Sequence, residues 1–316
     1  MADAEVGYRH EALLYGGAGD FVDRLVPFIV DGLAADQPVL VAAEATKLEL
    51  LQRALADHAK RVSFVDMAEV GRNPSRVISA WREFVGRHGP SGRSVRGVGE
   101  PVWPSRTSAE LVECERHEAL LNAAFPAATP LWLVCPYDTT TLPPAVIAEA
   151  RVNHPYVAEA GASISSPTFR PPDLGVPFAA PLERPPTDSD ELPFDLASLA
   201  WLRRFVAARG VVLGLRRDRV GDLVLAVNEL ATNSVRHGGG SGVVGLWQDG
   251  GDLVAEVRDQ GSIDDAFAGR HRPVLDGVSG RGLWLVNQLC DLVQVRATPR
   301  GTVVRIRMAR LLPTAG

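Results

Sequence analysis

With 316 residues, the chain is long enough for two ordinary domains of about 100–200 residues each. Hydrophobic residues make up 46% and charged residues 22%, a balance that belongs to soluble globular proteins and excludes disordered and fibrous classes. The net charge of -5, with no clustering of Lys and Arg, argues against direct nucleic-acid binding, because phosphate contacts need concentrated positive charge.

The opening segment Met1–Gly7 carries two acids and no apolar run, so no secretory signal is read there. No stretch approaches the roughly 20 apolar residues that span a bilayer, and a cytoplasmic protein without membrane association is expected. The three cysteines, Cys114, Cys135 and Cys290, are far apart and odd in number. They suggest neither a disulfide framework nor a zinc knuckle and read as buried free thiols.

From Tyr8 to about Ala160, short apolar runs alternate with amphipathic stretches, which predicts an α/β domain with a mostly parallel sheet and helices on both faces. The predicted strands are Ala12–Tyr15, Val39–Ala43, Val62–Val65, Val95–Gly99 and Leu131–Cys135. Between the first two, Phe21–Leu33 places Phe21, Leu25, Phe28 or Ile29, and Gly32 or Leu33 on one stripe of a helix. The run Gly16-Gly17-Ala18-Gly19 sits between strand and helix, where a phosphate loop would lie. It lacks the Lys and Ser/Thr that grip phosphate and metal, and Asp20 and Phe21 follow it, so a structural turn is expected.

Residues 161–193 are rich in Pro, Ser and acids, without periodicity, and are predicted to be an extended linker between domains covering 7–160 and 194–310. Beyond it, Leu196–Arg209, Arg219–His237 and Gly282–Cys290 read as helices. Val243–Gln248 and Leu253–Arg258 form a hairpin around Asp249-Gly250-Gly251, and Leu292–Ala297 and Thr302–Met308 form another around Pro299-Arg300-Gly301. This order predicts an α+β two-layer sandwich.

Three patterns in the second domain carry chemistry. Glu229 and Asn233 are four residues apart, off the apolar stripe of their helix, and share one face, so a carboxylate and an amide oxygen could serve Mg²⁺ and proton transfer. Asp259 ends a strand two residues before Gly261, where an acid could accept from an exocyclic amine while the glycine admits a ring. Ser279-Gly280-Arg281-Gly282 runs straight into a helix whose free N–H groups suit a phosphate chain. Each pattern taken alone is equally a solvated helix face or a simple turn. Arg281 either pairs with phosphate or is exposed at a helix start. His237 closes its helix, where a cation suits the dipole.

Together, "NELATNSVRH", "VRDQG", "SGRGLWLV" and "GTVVRI" resemble the N box, two glycine boxes and terminal Thr strand of the GHKL ATPases, over roughly Phe194–Met308. Within that superfamily the module resembles the anti-sigma-factor serine kinases. This resemblance implies the GHKL (Bergerat) ATP-binding fold, with ATP and Mg²⁺ as cofactors. It implies Glu229 as general base, Asn233 as Mg²⁺ ligand, Asp259 as adenine acceptor and Gly261 as its turn. It further implies Gly280 and Gly282, flanking Arg281, as lid and phosphate-loop residues, Thr302 as support for the adenine or its bound water, and Ser262–Ser279 as a mobile lid. Two departures stand out: Asp259-Gln260-Gly261-Ser262-Ile263 lacks the second glycine of D-x-G-x-G, and Arg281 replaces a small or apolar residue.

In the first domain, "HEALLY" and "LWLVCPYDTTTLPPAVIAEARVNHPYV" resemble the MEDS sensory domain over about 7–160. The resemblance implies a regulatory module for a small-molecule signal. His10, Cys135, Tyr137, Asp138 and His154 are candidates either for a pocket or for ordinary core and capping roles.

The function expected from these resemblances is a signalling regulator whose sensory domain controls an ATP-dependent switch kinase. It would bind a sigma factor and phosphorylate Ser or Thr of an anti-sigma-factor antagonist, with a homodimer expected from the family. Two alternatives remain: a histidine kinase, for which His117-Glu118 is the only helical His-acid pair to name, and a non-catalytic ATP-gated interaction module.

Overall fold

The computed structural model describes residues 7–88, 93–159, 161–174, 181–273, 280–298 and 301–310. It divides into two compact units, Met1–Pro172 and Asp173–Gly316.

In the first unit, seven strands form one sheet in the order β3-β2-β4-β5-β1-β6-β7. They are β1 (Arg9–Tyr15), β2 (Val39–Ala43), β3 (Val62–Asp66), β4 (Val95–Gly99), β5 (Leu131–Asp138), β6 (Tyr156–Glu159) and β7 (Ala162–Ser165). All pairings are parallel except β6 with β7. The buried run of β2, VLVAA, is what a strand covered on both faces requires.

Helices α1 (Gly17–Ala34) and α2 (Ala45–Leu55) cover one face, packing Phe21, Leu25, Ile29 and Leu51 against Leu13, Tyr15, Val41 and Val98. The short α3 (Met67–Val70) precedes α4 (Val77–His88), whose Trp81 lies on the opposite face. There the Trp81 ring is so close to Gly97 and Gly99 that a Cβ on either would stand within 3 Å of it. Next come α5 (Ser108–Ala124), started by a Thr107/Glu110 capping box, and α6 (Pro144–Asn153).

The glycine-rich run is more helical than the sequence suggests. Only Gly16 lies outside α1, and Gly17–Gly19 form the helix's first turn. The N–H groups that a phosphate would take meet carboxylates: Gly16 donates to Asp20 Oδ2 at 2.8 Å and Gly17 to Asp138 Oδ1 at 3.3 Å. Nearby, Lys47 Nζ donates to the Tyr15 hydroxyl at 2.8 Å and to Glu100 Oε1 at 2.5 Å.

The segment 161–193 is not free of structure. Its start supplies β7, all four residues of which are exposed, and its end supplies β8 (Asp190–Asp195), which pairs with the second sheet. Both are edge strands, where a short polar sequence suffices and where Pro193 is tolerated because an edge needs only one row of ladder donors.

The second unit is a five-stranded antiparallel sheet, ordered β11-β12-β10-β9-β8. The further strands are β9 (Ser241–Asp249), β10 (Asp252–Asp259), β11 (Leu292–Thr298) and β12 (Gly301–Ala309). Three helices, α7 (Leu199–Val212), α8 (Arg217–His237) and α9 (Arg281–Leu289), share one core with it. Alternate residues Leu253, Ala255 and Val257 of β10 and Val304, Ile306 and Met308 of β12 enter that core with Leu223, Val227 and Leu230 of α8. The alternate set on β10 and β12 is mixed, with Val254 beside charged residues: Glu256 accepts twice from Arg305, at 2.9 and 2.6 Å, and Arg305 lies over the Trp247 ring. This is the two-layer sandwich expected from the sequence. Pro299-Arg300 of the predicted turn lies outside the described residues.

Candidate nucleotide site

A pocket opens in the second unit between the C-terminal half of α8 and the ends of β10 and β12. Its walls include Leu230, Val257, Leu283 and Val304, and Asn233, Asp259 and Thr302 give it polar groups.

Asp259 closes β10 and is held at both oxygens. Ser234 Oγ donates to Oδ2 at 2.6 Å, and the Gly261 N–H donates to Oδ1 at 2.8 Å. Thr302 is register-paired with Asp259 across β10 and β12, and its hydroxyl donates to the Gly261 carbonyl at 2.9 Å. The carboxylate thus has one orientation, and each oxygen keeps a lone pair for a further donor. Gly301 makes the approach possible: its φ is +130°, and a Cβ there would lie 1.9 Å from the Asp259 carbonyl oxygen.

Glu229 and Asn233 are both half-buried on α8. The start of α9 rests against them, since a Cβ on Gly282 would come within 3.1 Å of Glu229 Oε2 and of Asn233 Nδ2. Gly280 caps α9 in the left-handed region at φ +86°. Hence Gly282 brings the amide-rich end of a helix to the carboxylate and amide of α8, the arrangement that favours an anion beside a metal-binding group. Arg281 is exposed in the first turn of α9 and does not line the pocket. Nor do Glu229, Gly280 and Gly282, although Gly282 adjoins both Glu229 and the pocket residue Asn233.

Sequence reasoning missed Ser234 and Ile263. Ser234 is a polar residue four positions after Leu230 on the buried stripe of α8, which was the available signal. Ile263, where a second glycine would stand, lines the pocket and packs on the core. His237, at the last turn of α8, is exposed and also borders the pocket. Within the expected lid, the described part lies against α9: Ala266 is buried and Asn287 Nδ2 donates to the Gly269 carbonyl at 2.9 Å. Residues 274–279, including Gly277 and Ser279, lie outside the described residues.

In the first unit, His10, Cys135 and His154 come together around Glu118, and the Tyr137 ring meets His154 edge-on at 5.7 Å. Asp138 stands apart, accepting from Thr140 and Gly17. All three cysteines are buried, and none is in a disulfide.

Comparison with known proteins divides the chain the same way. Residues 9–155 match the model of the MEDS family, the methanogen/methylotroph DcmR sensory domain, and residues 192–308 match that of the histidine kinase-like ATPase domain. No curated protein matches. Among solved structures, the RsbU and RsbW domains of Rv1364c from Mycobacterium tuberculosis are similar at 20% identity and a TM-score of 0.30, over 40% of this chain and 33% of that one. The Acinetobacter baumannii histidine kinase AdeS is similar at 12% identity and a TM-score of 0.24, over 39% and 68%. The chain thus spans a third of the length of the first of these structures, and likenesses this loose specify no activity. Among the described residues, no helix is long and apolar enough to cross a membrane.

Proposed function

Starting from a chain that joins a MEDS sensory domain to a histidine kinase-like ATPase domain, and so from a signalling regulator, we propose that the second unit binds ATP with Mg²⁺ and works as a switch kinase of the anti-sigma-factor type. Its acceptor would be a Ser or Thr of a protein antagonist, and in another state it would hold a sigma factor. The first unit would set the balance between these states in response to a small-molecule signal.

The observation that carries this reading is the approach of Gly282 to Glu229 and Asn233, with Asn233 lining the same pocket as Asp259 and Thr302. Asp259, fixed by Ser234 and Gly261, would accept the exocyclic amine of adenine. Amides at the start of α9 would bind phosphate oxygens. Asn233 would hold Mg²⁺ through its side-chain oxygen, and the ion when bound neutralises charge on the phosphates. Glu229 would take the proton of the acceptor hydroxyl as its oxygen bonds to the terminal phosphorus and the bond to ADP breaks.

A histidine-kinase reading fares less well, because His117 is 1% exposed inside α5 and cannot meet a nucleotide without opening the first unit. The test is radiolabelled phosphotransfer from ATP to candidate antagonist proteins, beside a Glu229→Gln variant. Acid-stable Ser or Thr phosphate, lost by about 100-fold or more in Glu229→Gln with ATP binding retained, is expected for a general base. ATP bound without transfer to any candidate would instead make the unit an ATP-gated interaction module.

A further inference from the structure

Four side chains that the nucleotide site does not use converge in the first unit. His10 comes from β1, Cys135 from the adjacent β5, Glu118 from the middle of α5, and His154 follows α6. One ligand atom from each lies within 4.8 Å of all the others, and each residue is 1% exposed or less. His10 Nε2 is 3.0 Å from Glu118 Oε2, His154 Nε2 is 3.1 Å from the same oxygen, and Cys135 Sγ is 3.4 Å from His10 Nε2.

The surroundings fix the tautomers. His154 Nδ1 is 2.7 Å from the Ala150 carbonyl, which can only accept, so Nδ1 carries the proton. Asn122 Nδ2 faces the carbonyls of Glu118, Ala119 and Asn153, so its oxygen points to His10 Nδ1 at 3.0 Å, and that nitrogen also carries its proton. In the neutral imidazoles both Nε2 atoms are then bare lone pairs aimed at a carboxylate oxygen. His154 Nε2 makes no aligned hydrogen bond despite its proximity, and Glu118 Oε1 is buried without a partner.

Protonating both rings would relieve the lone pairs but would place two imidazolium groups with centroids 4.2 Å apart around one carboxylate, in a site without water access.

We propose that His10 Nε2, His154 Nε2, Glu118 Oε2 and Cys135 Sγ form a closed four-ligand site for a divalent transition-metal ion of the zinc class. Two neutral imidazoles, one carboxylate and one thiolate cancel the charge of a divalent ion, so the buried site is neutral. The donor set and number suit tetrahedral zinc, and bonds of about 2.0 Å to nitrogen and 2.3 Å to sulfur make tetrahedron edges of roughly 3.3–3.6 Å, near the 3.0, 3.1 and 3.4 Å of the three pairs given above, with all pairs within 4.8 Å. Asn122 and the Ala150 carbonyl are the outer partners that such histidines ordinarily have. Because a thiolate is the ligand form, the Cys135 thiol gives up its proton as the ion binds. Four protein ligands leave no open position, and the ion would tie β1, β5, α5 and the end of α6 together.

The test uses the full chain, expressed in medium supplied with zinc or, separately, with cobalt in place of zinc. Metal analysis should give about one ion per chain, and the cobalt form should show an intense tetrahedral visible spectrum with a thiolate-to-cobalt band in the near ultraviolet. Cys135→Ser, nearly isosteric, should lose the thiolate band, and His154→Gln should lower metal content several-fold. Circular dichroism of each variant identifies any that fails to fold. A folded wild type holding less than about a tenth of an equivalent, or a cobalt spectrum unchanged by both substitutions, would overturn the site.

Discussion

Ser234 Oγ donates to Asp259 Oδ2 at 2.6 Å, joining the last turns of α8 to the end of β10. With the Gly261 amide on the other oxygen, the hydroxyl leaves the carboxylate a single orientation. Ser234→Ala removes one charge-assisted hydrogen bond without adding bulk. It should weaken Mg-ATP binding several-fold, about 1 kcal/mol, while leaving the fold intact. Titration calorimetry beside a thermal melt separates the two effects.

The glycines around the site are not equivalent. At Gly301, φ is +130° and a Cβ would sit 1.9 Å from a backbone oxygen of β10, so neither strand can yield without breaking ladder bonds. At Gly280, φ is +86° but among the described residues nothing lies within 4 Å of a Cβ. Gly280→Ala should therefore cost only the left-handed backbone strain, about 1–2 kcal/mol. Gly301→Ala should cost clearly more, and denaturant unfolding of the two variants under one condition gives the order.

In the first unit, burial raises the Glu100 carboxyl from 4.5 to about 7, against the opposing pull of Lys47. A carboxyl whose folded pKa is raised favours the fold when protonated. Its contribution is therefore greatest below pH 4.5 and declines as pH rises to about 7. The gap corresponds to on the order of 3 kcal/mol. Glu100→Gln, which cannot ionise, should abolish that part of the slope, so wild type minus variant stability should fall between pH 4.5 and 7 and level off above. A flat difference would show that Glu100 titrates in its ordinary range.

Much of both sheets could be read from the sequence because hydrophobic period and burial coincide there. The run Val39–Ala43 and the alternation Leu253, Ala255, Val257 each say which face is covered. The edge strands β7 and β8 could not be read, since Ala162–Ser165 is exposed throughout and Pro193 speaks against a strand unless its edge position is known. Within the proposed nucleotide site, Glu229, Asn233 and Asp259 stand out as polar residues at helical or strand-end spacing, whereas Ser234 is hidden in the apolar stripe. His10, Glu118, Cys135 and His154 are spread over more than a hundred residues, and only the parallel pairing of β1 with β5 and the packing of α5 bring them together. Glu118 appears in sequence merely as the neighbour of His117.

The central claim, that the pocket bounded by Asp259, Asn233 and Thr302 holds a nucleotide, is tested most directly by calorimetric titration of Mg-ATP into the full chain and its Asp259→Asn variant. Asn keeps the size of the side chain but offers only one acceptor oxygen where the carboxylate has two. The account predicts saturable binding by wild type and a loss of tenfold or more in the variant, about 1.4 kcal/mol or beyond. Equal affinity in the two folded proteins, or no binding by folded wild type, would contradict it.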